Sequence, residues 1–424
     1  MGRWIWAAFA AGLTVAGTQA QAQTVATPST PTPSAAASTA TPAAAAASDA
    51  STPPKYGWSG GLDGTVAVSS NDNVLAAKTN KVSDTSVVVT PQASVKYTDK
   101  NGDFEALANA VFTRYDSQKS ENTDEYHVEG GGLRNIGGGN VFSSASWDKS
   151  AEDRRALNSP AGAANPVIDY MERAHGGAVA NLGDFKLTGK VDYANHNFVD
   201  AHTPGGVVID QDFRDRQHWW ESVQVDFTPD KVLDWYLKGE LTQIDYRLRP
   251  PRSAYNRDSN GYSVAGGVNL GMIDNVSGNA EIGYTQRHFD DPGLPDTSAL
   301  TMSSTLNWTP NKPTTFTFNA SRSVEEDVQP GASVYIDTTV GATLAEQINS
   351  VVTLNANASY EWDKHKGIDR SDGTADFGGG VTFQIFSPAS LQLSYDRTVQ
   401  ESSGLQGVPG YSDNVYSATL HVSI

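Results

Sequence analysis

Residues 353–362 read TLNANASYEW. Leucine, alanine, tyrosine and tryptophan occupy every second position, and threonine, asparagine, serine and glutamate fill the positions between them. A period of two places one set on each face of a β-strand. The same alternation runs through residues 186–193 and 315–321. These stretches are about twice as long as the usual soluble strand, and strands of ~9–11 residues or more can cross a bilayer at a tilt.

Two kinds of connection alternate between these strands. One kind is a short turn rich in Gly, Asn, Asp and Pro, and the other is a longer polar stretch. The short turns are predicted near residues 101–102, 137–139, 182–184, 229–231, 273–275, 310–313, 346–347 and 387–388, and the longer connections over 69–84, 117–124, 153–168, 198–216, 248–258, 290–299, 325–334, 363–371 and 401–412. Eight turns and nine loops join 18 strands. Sixteen strands is the alternative if one hairpin is counted wrongly.

Composition narrows the class of protein further. The chain has 424 residues, no cysteine and a formal net charge of −18. The absence of cysteine excludes disulfides and thiolate metal sites. The acidic balance argues against nucleic acid as a partner, because phosphate binding needs a basic surface. Only the extreme N-terminus is continuously apolar, which excludes a helical membrane protein. A β-barrel is not excluded, because its strands are only half apolar.

The first 54 residues are predicted to stand apart from the strands. Residues 1–22 indicate a secretory signal, in which Arg3 precedes an apolar core and cleavage follows Ala22; an uncleaved anchor helix is the alternative. Residues 23–54 consist almost entirely of Ala, Thr, Ser and Pro, which predicts a disordered periplasmic tether. Residues 55–424 then form the barrel.

Together these features predict an all-β fold, a transmembrane antiparallel up-and-down β-barrel with about 18 strands. Short turns at one end and long loops at the other are typical of bacterial outer-membrane barrels, and an even strand number puts both termini in the periplasm. A soluble β-propeller is the rival, but no four-stranded blade signature is visible. Six tryptophans are predicted near strand ends, in the interfacial girdles: Trp58, Trp147, Trp219, Trp235, Trp308 and Trp362.

The last strand supports the same fold. Tyr416 to Ile424 is apolar at every second residue up to the end of the sequence. It resembles the C-terminal signal through which the barrel-assembly machinery recognises outer-membrane proteins, although Ile424 stands where an aromatic residue is usual. We therefore expect this machinery as a partner, together with outer-membrane lipid and lipopolysaccharide.

Several stretches of the second half resemble one family. They are residues 256–262 (NRDSNGY), 280–284 (AEIGY), 288–300 (HFDDPGLPDTSAL), 314–326 (TTFTFNASRSVEE) and 369–372 (DRSD). Together they resemble the family called putative β-barrel porin 2, specifically over residues 255–424 and only in texture over 56–254. The resemblance implies an outer-membrane barrel of a Gram-negative bacterium, in a family often encoded beside exopolysaccharide or capsule genes. It offers no catalytic residues to carry over.

No cluster in the sequence predicts catalysis, a cofactor or a bound metal. The eight histidines lack metal-ligand spacing, and His288 with Asp290 and Asp291 is better explained as a solvated turn than as a metal site. A Ser/His/Asp esterase needs its base and orienting acid on neighbouring strands, and His196 and His421 have no visible partners of this kind. We therefore predict a protein that is not an enzyme.

Strand parity predicts which charged side chains face the lumen. Five are positive and seven are negative, which gives a mixed lining with a weak preference for cations; ordinary hydration of the interior is the alternative. The set is Lys96, Lys186, Lys190, Asp192, Asp226, Lys238, Glu240, Glu281, Arg287, Glu361, Asp376 and Asp396. Trp220 faces inward near a mouth and is a candidate for stacking on sugar rings; a rim aromatic without a ligand is the alternative.

Two classes of function follow from this reasoning. One is a porin-like pore or channel associated with polysaccharide export, because 16–18 strands enclose an aqueous lumen unless something plugs it. The other is a non-conducting scaffold or display barrel that docks a periplasmic partner. No loop is long enough for an obvious plug domain, and residues 198–216 are the best candidate to fold inward.

Overall fold

The computed structural model of the chain describes residues 56–229 and 232–423. Eighteen long antiparallel strands form a single sheet, as the alternation and the turn count predict, so the alternative of 16 strands is wrong. The strands are β1 Gly57–Asn71, β2 Asp84–Asp99, β3 Gly102–Tyr115, β4 Thr123–Asn135, β5 Gly139–Ala151, β6 Ile168–Leu182, β7 Phe185–Phe198, β10 Arg216–Phe227, β11 Leu233–Tyr246, β12 Ser259–Ile273, β13 Val276–Phe289, β14 Thr297–Asn311, β15 Thr314–Glu326, β16 Val334–Gln347, β17 Val352–His365, β18 Ser371–Phe386, β19 Ala389–Ser403 and β20 Tyr411–Ser423.

Few residues lie outside this sheet. A two-stranded hairpin, β8 Ala201–His202 and β9 Val208–Ile209, sits in the loop after β7, and two single 3₁₀ turns cover Lys119–Glu121 and Asp212–Arg214. No helix in the described part of the chain is long and apolar enough to cross a membrane. The predicted signal (1–22) and tether (23–54) lie outside the described residues, as does Ile424.

The sheet closes on itself through its first and last strands. β1 pairs with β20 from Asp63 opposite Ser423 to Asn71 opposite Val415. Every barrel strand therefore has a partner on both sides, and the closed wall has no free edge.

The connections differ in length at the two ends of the barrel, as predicted. At one end, eight turns of two to five residues link the strands, and at the other end nine loops of five to 17 residues do so. In the turn between β12 and β13, Asp274 and Asn275 both have positive φ, at 45° and 69°. This is the geometry of a type I′ hairpin turn, which Asn and Asp tolerate better than most residues.

The outer wall of the barrel is apolar and exposed. Leu237, Ile282 and Leu300 are each more than half exposed, at 62%, 65% and 61%, which only a lipid-facing surface accounts for. The buried apolar side chains are instead small clusters at the loop end. One of them holds Val167, Phe198 and Ala201.

The six tryptophans all lie on the exposed outer wall and form two groups. Trp58, Trp235 and Trp308 lie near the turn ends of their strands, and Trp147, Trp219 and Trp362 near the loop ends. Aromatic rings pack beside several of them, including Tyr97 beside Trp58 and Tyr193 beside Trp219, with centroids 4.9 Å and 4.6 Å apart. Two such rings of aromatic side chains mark the upper and lower borders of the membrane-spanning band.

We expect a charge on this outer wall to be costly at mid-height. Leu354, the third residue of β17, lies too close to the turns for this test, whereas Ile282 is the seventh of fourteen residues in β13. Ile282→Arg should lower the free energy of unfolding in lipid vesicles by roughly 2–4 kcal/mol. Ser303→Arg, in the adjacent strand but on the inner face, should be close to neutral. Equal losses in urea titrations of the two variants would contradict the assignment of the faces.

Candidate functional site

The barrel lumen is the candidate site, and strand pairing decides which side chains line it. Residues that are directly opposite in the pairing share a face, and the inner face is the one opposite the exposed apolar residues. All twelve charged residues singled out from the sequence lie on that inner face. Trp220 also faces inward, but the ring of His218 packs against it with centroids 3.4 Å apart, so one of its two faces is occupied.

The cations on strands β7 to β11 are neutralised by their neighbours. The ammonium of Lys186 lies 3.4 Å from Asp226, that of Lys190 lies 3.4 Å from Asp192, and that of Lys238 lies 3.3 Å from Glu240. On this side of the lumen each predicted lysine thus has its own carboxylate. The net charge presented to a passing solute is correspondingly small.

Glu281, another predicted lining residue, is also held by a neighbouring side chain, and a close approach at Gly267 makes this contact possible. Tyr236, Gly267 and Glu281 lie side by side on β11, β12 and β13, and the Tyr236 hydroxyl donates to Glu281 Oε2 at 2.8 Å. A Cβ on Gly267 would stand 2.2 Å from Tyr236 Cζ. Glycine is therefore what lets the tyrosine ring lie across the neighbouring strand.

The opposite side of the lumen, from β16 to β20, is acidic. In these described strands no Lys or Arg shares the inner face, whereas seven carboxylates do: Asp337, Glu361, Asp363, Asp372, Asp376, Asp396 and Asp413. Only Glu361, Asp376 and Asp396 of this set were expected as lining residues. Strand parity applied to the whole of β16–β20 would have found the others, since all seven positions obey the same period of two.

The loop between β5 and β6, residues 152–167, crosses the outer mouth. The side-chain amide of Asn158 donates to the carbonyl of Glu326 at 3.2 Å, although β15 is seven strands from β6. The guanidinium of Arg155 lies 3.4 Å from Asp413 on β20, five strands from β5 in the other direction. A loop that contacts both sides has to run across the lumen. The sequence favoured residues 198–216 as the loop that folds inward, whereas the loop that reaches both sides of the mouth is residues 152–167.

Buried ion pairs anchor this crossing loop at its base. Arg154 forms a two-pronged pair with Glu121, at 2.8 and 2.7 Å, and Arg214 forms one with Glu152, at 2.6 and 3.1 Å. Residues 198–216 support the loop through this second pair and through the Val167 cluster. Two-pronged guanidinium–carboxylate pairs fix orientation as well as distance, so the path of the loop is well defined.

The end of β15 and the loop that follows it also lie at the outer mouth, beside the crossing loop. Its pairing with β14 stops at Arg322, while its pairing with β16 continues to Glu326. The Glu326 carboxylate forms an ion pair with Arg287 and accepts a hydrogen bond from the Tyr246 hydroxyl at 2.6 Å. Arg257 holds the following loop by donating to backbone carbonyls of Asp327, Gln329 and Ala332. We call residues 152–167 and 323–333 together the outer constriction.

Two charged groups in the loops have pKa values displaced by this packing. Burial favours the neutral form of Arg155, but Asp153 and Asp413 outweigh it and raise the pKa of the guanidinium, which keeps it charged. Burial raises the pKa of Asp215, against the hydrogen bonds it accepts from the Phe198 backbone and from Arg247. The loop end is therefore a region where charges are partly withdrawn from water.

The lumen also holds one serine–histidine contact, which bears on the esterase alternative. The hydroxyl of Ser144 lies 3.2 Å from His175 Nδ1 and 3.1 Å from Glu129. Among the described residues no carboxylate forms an ion pair with His175, so the group lacks the orienting acid of a hydrolytic triad. His196 does have an acid, Asp169, at 2.8 Å, but no serine hydroxyl is hydrogen-bonded to it.

Metal-ligand residues converge in one place in the described chain. Asp200, Asp210 and Asp212, in the loop after β7, bring carboxylate oxygens within 4.8 Å of one another. His288 does not join Asp290 and Asp291; its ring Nδ1 lies 2.7 Å from Asp296, in an exposed pair at the rim. That hydrogen bond lowers the pKa of Asp296.

Comparison with known proteins decides the family. The model of the family described as "Putative beta-barrel porin 2" matches residues 64–423. The chain belongs to this family. The resemblance in residues 255–424 is thus confirmed and extends through the first half of the barrel. Family and fold together make the protein an outer-membrane β-barrel of porin-like type. No curated protein sequence matches the chain.

The chain is similar to several solved outer-membrane proteins at low identity. The outer membrane protein opdK from Pseudomonas aeruginosa is 10% identical, with 86% of this chain and 99% of that chain covered and a TM-score of 0.47. OpdL from the same organism is 8% identical, with 87% and 98% covered and a TM-score of 0.45. The siderophore receptor PirA from Acinetobacter baumannii is 8% identical, with 88% and 81% covered and a TM-score of 0.44.

The anchoring of the crossing loop makes a testable prediction. Arg154→Met leaves Glu121, which is 4% exposed, without its cation, and breaking a buried pair in this way costs roughly 3–5 kcal/mol. Amide hydrogen exchange of residues 153–163 should therefore accelerate strongly. Arg114→Met removes an exposed pair with Asp124 and should cost no more than about 1 kcal/mol. Unchanged exchange in the Arg154 variant would show that the pair does not hold the loop.

Proposed function

We propose that the protein is a diffusion channel of the outer membrane for small hydrophilic solutes, narrowed at its outer mouth by the outer constriction. In this proposal the long loops face the exterior, both termini lie in the periplasm of a Gram-negative cell, and the signal in residues 1–22 directs export. The barrel-assembly machinery recognises the strand that begins at Tyr416, and the outer wall contacts lipid and lipopolysaccharide.

One observation carries this proposal. The inner face of the barrel is mainly polar, and the segment that crosses it is a 16-residue loop, residues 152–167, rather than a folded domain. An 18-strand barrel is wide enough for an aqueous channel unless a plug fills it. A loop held at the mouth by ion pairs narrows such a channel and leaves the lumen below it polar and hydrated.

The side chains that line the lumen favour transport over catalysis. The serine–histidine contact in the lumen lacks an orienting acid, and the charged lining is distributed along the wall instead of converging on one point. We therefore assign no catalytic residue and no cofactor.

Planar-bilayer recording of the purified full-length barrel tests the channel directly. We expect stable stepwise currents from the parent protein and a larger single-channel conductance from Arg155→Ala, because that change releases the crossing loop from Asp413. Arg252→Ala removes an arginine from an exposed loop position and serves as the matched control, with unchanged conductance. A folded barrel that inserts without conducting overturns the channel proposal and favours a scaffold that docks a periplasmic partner.

Passage of polysaccharide is a second candidate, and the uncharged part of the lumen favours it. In the parts of β14 to β17 nearer the turns, hydroxyl and amide groups occupy neighbouring inner positions, such as Asn307 beside Thr317 and Asn357 beside Thr343. Thr317 donates to Asn307 at 2.8 Å. Hydroxyl and amide groups are suitable partners for a hydrated sugar chain, and the open face of Trp220 offers a surface for stacking.

Gene deletion separates the two candidates. Loss of surface polysaccharide with unchanged uptake of small solutes supports export. The reverse outcome supports a general diffusion channel. If neither changes, both candidates fail and the scaffold is left.

A further inference from the structure

Three carboxylates on the inner face of β16 and β17 stand together without a cation. Asp337 lies directly opposite Asp363 in the strand pairing, and Glu361 precedes Asp363 by two residues on the same face. We call Asp337, Glu361 and Asp363 the acidic patch. The charged groups around Asp363 are Glu361, Asp337 and Asp372, all of them acidic. Like charges directly opposite one another destabilise a sheet, and a proton or a cation from elsewhere relieves that repulsion.

The described part of the protein does not supply that charge. Asp363 is 1% exposed; no described N–H group donates to its carboxylate oxygens, and its side-chain contact is with the carboxyl group of Glu361. Its neighbour Asp372 differs, because Arg370 donates to it at 2.8 Å and the ring of His365 lies 2.9 Å away. In the described strands β16 to β20 no Lys or Arg lies on the inner face beside the patch. An ionised carboxylate that is buried without a partner is strongly unfavourable.

On the other side of the lumen, inward-facing carboxylates do have cations beside them. Asp192 and Glu240 also face inward, yet Lys190 and Lys238 lie within 3.4 Å and 3.3 Å of them. The uncompensated negative charge of the lumen is therefore concentrated on one side. Asp337 and Glu361 are half-buried, so their carboxylates are accessible from the lumen.

The spacing of the carboxylates indicates what kind of cation fits. A single metal ion needs ligand oxygens close to one common point. In the described chain the acidic side chains that bring three such oxygens within 4.8 Å are Asp200, Asp210 and Asp212 in the loop after β7, not those of the patch. The three patch carboxylates do not bring their oxygens to one common point in this way. They suit a ligand whose positive charges are spread along a flexible chain.

We propose that the acidic patch binds organic cations with more than one ammonium group, such as oligoamines, on their way through the lumen. The inference rests on the proposed channel function and gives that channel a substrate class. Ammonium groups of the ligand meet Asp337 and Glu361 from the lumen side. The patch then acts as a binding step on the inner wall, behind the outer constriction.

Binding of spermidine to the full-length barrel in detergent, measured by titration calorimetry at about 0.1 M salt, tests the inference. We compare the double variant Asp337→Asn with Glu361→Gln against the control Asp192→Asn with Glu240→Gln. Each double variant removes two negative charges from the inner face, but the control carboxylates already have lysine partners. We expect about tenfold weaker binding for the patch variant and less than about threefold for the control, because screening limits long-range effects to ~10 Å at 0.1 M salt.

Equal weakening by both double variants overturns the inference, since the effect is then one of total lumen charge. Absence of spermidine binding to the parent protein also overturns it, and indicates that Glu361 and Asp363 share a proton instead. The single variant Asp363→Asn tests whether the buried carboxyl group of the patch contributes to spermidine binding. The shift in gel mobility on heating establishes that each variant is folded. Because calorimetry does not require an open pore, a parent that binds spermidine but conducts no current refutes the channel and not the patch.

Discussion

The backbone hydrogen bonds of the wall are the constraint on which the rest of this structure depends. In hydrocarbon an unpaired N–H or C=O costs several kcal/mol, so a sheet that spans a membrane has to close. The pairing of β1 with β20 achieves that closure. Once the wall is closed, alternate side chains along each strand face lipid on the outside and the polar lumen on the inside. Leu237 is exposed to lipid, while its neighbour Lys238 pairs with Glu240 inside. The alternation of apolar and polar residues along each strand follows from that single requirement.

The interior follows different rules because it is polar and confined. Charges there are satisfied mainly by one another, and ion pairs take over the role that apolar packing has in a soluble core. Arg154 with Glu121 and Arg214 with Glu152 hold the crossing loop in place, since a guanidinium fixes both distance and angle to a carboxylate. The apolar clusters beneath the loops are small by comparison. The shape of the mouth is therefore set by electrostatics to a greater degree than by hydrophobic burial.

Local sequence patterns were sufficient to predict most of the wall. Strand number, turn positions and the inward or outward direction of each residue depend on neighbours along the chain or on a period of two, and both can be read from the sequence. The alternation in residues 353–362 and the turn at Asp274 and Asn275 are examples. The path of residues 152–167 could not be predicted in this way. It depends on Asn158 meeting Glu326 and on Arg155 meeting Asp413, and neither contact leaves a periodic signal.

Contacts between strands, which the sequence does not show, also explain why the sequence predicted a mixed charge throughout the lumen. Counting signs gives five positive and seven negative residues, but the pairing shows that the lysines of β7 to β11 are cancelled locally and that the carboxylates of β16 and β17 are not. The crossing loop brings Arg155 to Asp413 on β20. Arginines pair with carboxylates at the outer mouth, whereas Asp363 is buried beside other acidic side chains. Natural proteins tolerate such local conflict mainly where function requires it, and for a channel the corresponding function is to offer a place that a positively charged solute can occupy and leave.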